Sequence, residues 1–263
     1  TTPDATVYRN PDGTRSVVFT GEPANFKRSG SWRSIDARAT PETGAQAVPG
    51  AFVMSENYWR VRFTRAGGGV HPEVEGLPAR PVSWSPVGVA LPAPIVSSDG
   101  KIVTYVDVWP GVDLRYTLFN SVLKEDIVLK SPGVEAAYSF DYRGGRLMAD
   151  ADARDGMALA DADLSERMAF GELVVTKGEG WWVTDEAGGF RTVSDGPGNS
   201  SVVTIGVDPE WLAEQPVESF PIVLDPTAVF YPPGNAVHGA SWAGAFNTVN
   251  GTTWVCPNTS NGV

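Results

Sequence analysis

The sequence predicts an all-β protein, with antiparallel sheets of many short strands in a sandwich or stacked-sheet architecture and at most one short helix near residues 209–214. Three observations carry this expectation. Apolar and polar residues alternate with a period of two in short runs such as Val112-Asp113-Leu114-Arg115-Tyr116-Thr117-Leu118, the pattern of a half-buried strand. The 29 glycines and 21 prolines among 263 residues fall mostly singly between such runs, where they make turns. Helix signals gather at one place only: Asp208 can cap, Pro209 suits the first helical position and Glu210 falls in the first turn.

In chain order, residues 6–9 and 15–19 flank Asn10-Pro11-Asp12-Gly13, a turn sequence that makes them a hairpin. Residues 24–27 and 31–36 form a second hairpin, with Trp32 and Ile35 expected to anchor it in the core. The Pro-, Ala- and Gly-rich stretch 37–49 reads as a loop. In 58–64, Tyr58 and Arg60 are expected on a wet face and Trp59, Val61 and Phe63 on the buried one. Residues 67–94 are irregular, with a short strand around 81–84. The densest β region is a three-strand meander, 101–108, 112–119 and 122–129, separated by Trp109-Pro110-Gly111 and Asn120-Ser121. Strands at 136–142, 146–149 and 157–160 follow, then a hairpin of 173–176 with 180–184, a strand at 201–207, and a last strand within 220–226. No repeat of fixed spacing stands out, so a solenoid or propeller is not expected.

A formal net charge of −11 and a pI near 4.6 argue against a nucleic-acid partner, because phosphate-backbone binding depends on Lys and Arg. No stretch reaches the ~18–20 apolar residues of a membrane span, and none is expected. The start, Thr1-Thr2-Pro3-Asp4, lacks a basic region followed by an apolar run, so a signal peptide is either absent or removed. A polar surface rich in Thr, Ser, Asn and Gly favours an exported location. With Cys256 as the single cysteine, an internal disulfide framework is ruled out.

Five phrases taken together carry a resemblance. They are Tyr8-Arg9-Asn10-Pro11-Asp12-Gly13-Thr14, Gly30-Ser31-Trp32-Arg33-Ser34-Ile35-Asp36, Val106-Asp107-Val108-Trp109-Pro110-Gly111-Val112-Asp113-Leu114-Arg115-Tyr116, Val122-Leu123-Lys124-Glu125-Asp126-Ile127-Val128-Leu129 and Phe220-Pro221-Ile222-Val223-Leu224-Asp225-Pro226-Thr227. In this order, over roughly residues 5–230, the chain resembles the N-terminal module of large secreted proteins of the RHS-repeat and wall-associated polymorphic-toxin type, abundant in actinobacteria. The resemblance implies a cell-surface module at 1–228, either one unit or two packed β subdomains with a break near 130–150. Residues 229–263 would be a linker or the start of a following β domain. It implies partnership with downstream domains of the same polypeptide, and it supplies no catalytic residues.

The candidate chemistry is limited. Asp107, Asp113, Glu125 and Asp126 cluster in the meander, and a glycoside-active enzyme needs two carboxylates about 5–10 Å apart in a cleft. The alternative is structural, with Asp107 and Asp113 accepting hydrogen bonds around the Pro110-Gly111 turn and Lys124 and Glu125 alternating on a strand. Asp150, Asp152 and Asp155 suggest a calcium loop, but Arg154 falls where the fifth ligand of an EF-hand belongs and Asp155 takes the place of its glycine, so a solvated turn is the rival reading. His71 and His238 have no metal or catalytic spacing, and Cys256 has no activating neighbour. Nine tryptophans are many for this length, and core packing accounts for most of them. Trp181-Trp182 is the pair singled out for ligand binding, since adjacent strand residues point to opposite faces and one of the two is expected in solvent, where a ring can cover a sugar. The expected function is a non-catalytic structural or interaction module without cofactors. The alternatives are a carbohydrate-binding module for a cell-wall or surface glycan and a glycoside-active enzyme.

Overall fold

Alternating burial along strands such as residues 112–118 and 137–143 generates two facing sheets, seen in a computed structural model that describes residues 1–65, 69–74, 82–149, 157–159, 168–178, 180–196 and 200–230. Two hairpins lead the chain: β1 (Ala5–Arg9) with β2 (Arg15–Phe19), and β3 (Asn25–Arg28) with β4 (Ser31–Ser34). Next come β5 (Thr40–Pro41), β6 (Phe52–Met54), β7 (Trp59–Thr64), β8 (Gly69–Val74) and β9 (Ser83–Pro86), each antiparallel to the next. The meander is β10 (Ile95–Val96), β11 (Ile102–Trp109), β12 (Val112–Leu118) and β13 (Val122–Leu129). β14 (Ala137–Arg143) pairs with β9, far back in the chain. Short strands β15 (Leu147–Ala149), β16 (Met157–Leu159), β17 (Met168–Phe170), β18 (Val174–Lys177) and β19 (Trp181–Trp182) precede the longer β20 (Phe190–Asp195) and β21 (Ser200–Gly206). The helix α1 (Pro209–Ala213) and a single 3-10 turn lead to β22 (Ile222–Asp225) and β23 (Ala228–Phe230).

Among the described residues, sheet I has the order β10-β11-β12-β13-β23-β17-β16-β15, with β22 joining β13 to β18 and β19 lying outside β18. Sheet II has the order β20-β21-β14-β9-β8-β7-β6-β5. Their inner faces share one apolar core, and aromatic rings make the joints between them. Trp59 of sheet II stacks on Phe230 of sheet I at 4.1 Å with 7° between planes, Phe63 meets Tyr116 at 5.5 Å, and Trp109 meets Tyr138 at 4.7 Å. The molecule is therefore an all-β sandwich-like fold with one short helix. Asp208 caps that helix as its sequence implies, accepting a hydrogen bond from the Glu210 N–H at 2.8 Å.

Several local expectations change. Tyr58 is buried beside Trp59, because its hydroxyl crosses the sandwich to donate to the Phe230 carbonyl at 2.9 Å. Trp32 is exposed, with Lys27 over its ring at 5.4 Å, since among the described residues β3 and β4 pair only with each other. Ile35, by contrast, packs against the core. The stretch 220–226 supplies β22, but β23 follows it, and both lie antiparallel to β13, β22 against Ile127–Leu129 and β23 against Val122 and Leu123. Strands β6, β8, β17 and β20 arise where the sequence is short, Pro-containing or only weakly alternating.

Hairpin β1–β2 stands apart. Asn25 holds its base, donating through Nδ2 to the carbonyls of Thr2 at 3.2 Å and Ala5 at 3.4 Å, while the N–H groups of Ala24 and Asn25 donate to the Pro3 carbonyl. Beyond Ala5 the side chains are in solvent: Val7, Val17 and Phe19 on one face, Tyr8 and Val18 on the other, with Phe19 76% exposed.

Candidate functional site

The acids of the meander are consumed by neighbouring cations. A bulge between Tyr105 and Trp109 places Asp107 at φ +52°, and its N–H donates to Asp113 Oδ1 at 2.8 Å. Lys130 Nζ then bridges both carboxylates, 2.6 Å from Asp107 and 2.7 Å from Asp113, at the exposed end of the sheet. The hydrogen bond from Lys130 holds the Asp107 carboxyl below its usual range, so this is an ion-paired turn. The turn itself needs Gly111, at φ +78°, where an added Cβ would lie 3.1 Å from Val134 Cγ1. Gly111→Ala is expected to cost about 1–2 kcal/mol, read as a lower urea midpoint at unchanged slope.

On the outer face of sheet I, Arg115 donates to Asp126 Oδ2 from Nε at 3.0 Å and from Nη2 at 2.9 Å. Lys124 contacts the other oxygen of Asp126 and reaches Asp225 at 2.8 Å. Burial pulls the Lys124 ammonium down, but Asp225 and Asp126 outweigh it and raise it above the usual lysine value. Two neighbouring phrases and a third far along the chain thus become one charge network across β12, β13 and β22. Removing its centre with Lys124→Met leaves the buried Asp126 with Arg115 alone, and a loss of about 1–3 kcal/mol in a denaturant titration is expected.

Glu125 faces the other way, into the sandwich. It accepts a 2.6 Å hydrogen bond from the Tyr116 hydroxyl and is buried. Desolvation pushes its carboxyl up to about 7, against the opposing pull of Tyr116 and Arg191 and with the help of Asp225 and Asp126. The cavity beside it, lined by Trp84, Phe140, Tyr142 and Phe170 among others, measures only about 20 Å³, and Glu125 is the one carboxylate in its described lining. That volume does not admit a sugar ring. Asp107, Asp113 and Glu125 therefore do not converge on a substrate cleft: two share a surface lysine and the third lies in the core.

Asp150, Asp152 and Asp155 lie outside the described residues, as do His238 and Cys256. His71 lies in β8 opposite Arg62. Among the described residues no three His, Cys, Asp or Glu side chains are placed to hold a metal ion, and no helix is long and apolar enough to cross a membrane.

The Trp181-Trp182 hairpin departs most from a bland surface. Both rings are in solvent, 74% and 78% exposed, where strand alternation alone had placed one there. The reason is position: β19 is two residues long and, among the described residues, pairs only with β18 (Thr176↔Trp182, Lys177↔Trp181) at the edge of the sheet. Beside Trp182 lies an open groove of about 360 Å³, within the ~300–1,000 Å³ of small-molecule sites. Its wall combines Trp182 with the exposed carboxylates of Glu172, Asp185 and Glu186. The return of the chain builds it: Val183 N–H donates to the Val175 carbonyl, Val175 N–H to Thr184 Oγ1, and Gly189 N–H to the Thr184 carbonyl, which sets 182–186 against 172–174. Sequence reading missed the three acids because they meet across a hairpin; the available signal was acids just outside both of its strands.

The fold and site together define an all-β sandwich bearing an acidic, tryptophan-edged groove. Comparison of the chain with protein-family models, curated proteins and solved structures returned no match.

Proposed function

We propose that this chain is a non-catalytic interaction module of a large secreted or cell-surface bacterial polypeptide, of the RHS-repeat and polymorphic-toxin type its sequence resembles. The observation that carries the reading is hairpin β1–β2. A lone two-stranded hairpin is marginal in water, and exposed apolar side chains on both faces of paired strands with open edges mark a contact surface. Val7, Tyr8, Val17, Val18 and Phe19 supply that surface, and neighbouring domains of the same polypeptide are its partner in this reading. The meander acids fit the same role, since their ion pairs tie strands together. Hydrogen exchange tests it: amides of 5–9 and 15–19 should exchange quickly in the isolated chain and become protected at least about tenfold within the natural full-length polypeptide. Equal exchange in both would refute the role.

A second reading, a carbohydrate-binding module, is favoured by one observation: two solvent-facing tryptophans beside a concave groove.

A further inference from the structure

We propose that the groove beside Trp182 is a subsite for a sugar carrying a free amine, a cationic glucosamine-type residue within a surface polysaccharide. The inference rests on the carbohydrate reading and names its ligand class.

Two properties of the groove select the ligand. Trp182 offers an almost wholly exposed indole face, which takes either the C–H face of a pyranose or a cation. Glu172 and Asp185 bring negative charge to its wall, and Glu186 is shared with Lys177, in a chain that already carries −11. A neutral sugar uses the ring and gains little from the charges; an anionic polymer is repelled by them. An ammonium-bearing pyranose uses both, stacking its ring while its amine lies among carboxylates. A metal ion is a poorer fit, because no three of these acids among the described residues are arranged to hold one.

The surroundings support the assignment. Lys177 lies 5.9 Å from the Trp211 ring centre and 3.3 Å from Glu186, so it balances one of the three acids without lining the groove and leaves the wall net negative. A basic peptide shares the chemistry of charge, but β19 gives an extended chain only two residues to pair with, whereas the concave wall suits a compact ring.

Trp181 is a built-in control. It has the same exposure on the same short strand but is absent from the groove wall. The test is a titration of the whole chain with three probes, an oligoglucosamine, its fully N-acetylated counterpart and an oligolysine, read by calorimetry and tryptophan fluorescence. Oligoglucosamine is expected to bind best. Trp182→Ala should weaken it about tenfold, and Trp181→Ala less than about twofold. Glu172→Gln and Asp185→Asn should each weaken oligoglucosamine several-fold, while thermal melts show both variants folded. If neither oligosaccharide binds, the carbohydrate reading falls together with the proposal. If the acetylated probe binds equally well, the amine assignment alone falls. Tighter binding of oligolysine, or equal losses in Trp181→Ala and Trp182→Ala, would overturn the subsite in favour of a peptide surface or of generic tryptophan adhesion.

Discussion

Glu125→Gln is expected to stabilise the chain by about 3 kcal/mol near pH 8 and to leave it almost unchanged near pH 4.5. The sign follows from linkage. Burial raises the folded-state carboxyl from 4.5 to about 7, so the folded state holds a proton that the unfolded state releases. Stability from this group is fully present below pH 4.5 and is lost as pH rises through about 7, at about 1.4 kcal/mol per unit of displacement. Glutamine keeps the shape and an acceptor for the Tyr116 hydroxyl but cannot acquire charge. Urea titrations of both proteins across this range isolate the residue, because the two chains differ only at that one titratable group. Parallel stability curves would show that Glu125 carries its charge in the core at no cost.

The other large effect belongs to Trp59. Trp59→Ala is expected to cost about 3–5 kcal/mol, enough to leave a marginal sandwich partly unfolded. Three contributions are lost together: the ring stacked on Phe230, the fully buried indole surface, and the 2.8 Å hydrogen bond from Nε1 to the Asn120 carbonyl. Asn57 Nδ2 also donates to that carbonyl at 2.8 Å, so the acceptor keeps a partner and the loss is mainly one of packing. Trp59→Phe should recover more than half of the stability. A double-mutant cycle with Phe230→Ala should return a coupling of about 0.5–1.5 kcal/mol; zero coupling would mean the two rings do not join the sheets.

What could be read from the sequence follows from physics that is local. Residues 112–118 announce a strand because each second side chain is buried, and the observed pattern alternates without a break. The turn at Gly111 and the cap at Asp208 are also local and were legible. Trp32 misled because alternation reports that a strand has two faces, not whether a second sheet exists to cover either. Tyr58 misled for the opposite reason, its polar tip finding a carbonyl 172 residues away. The candidate site divides in the same way. A surplus of tryptophan drew attention to Trp181 and Trp182, but Glu172 and Asp185 join the groove only once the hairpin has closed. Asp107 and Asp113 read as turn formers with catalysis as the rival, and neither reading reveals Lys130 as their shared counter-ion.

The junction at β13 has a consequence for how the molecule is made. Val122 pairs with Val229 and Leu129 with Ile222, so the centre of sheet I is finished by strands that leave the ribosome long after β13. Until they arrive, one flank of β13 is a bare row of amides and carbonyls, and Trp59 lacks its cover. A nascent chain halted before residue 222 would therefore be adhesive rather than half-native, and its assembly should be slow, governed by strands distant in sequence that meet late.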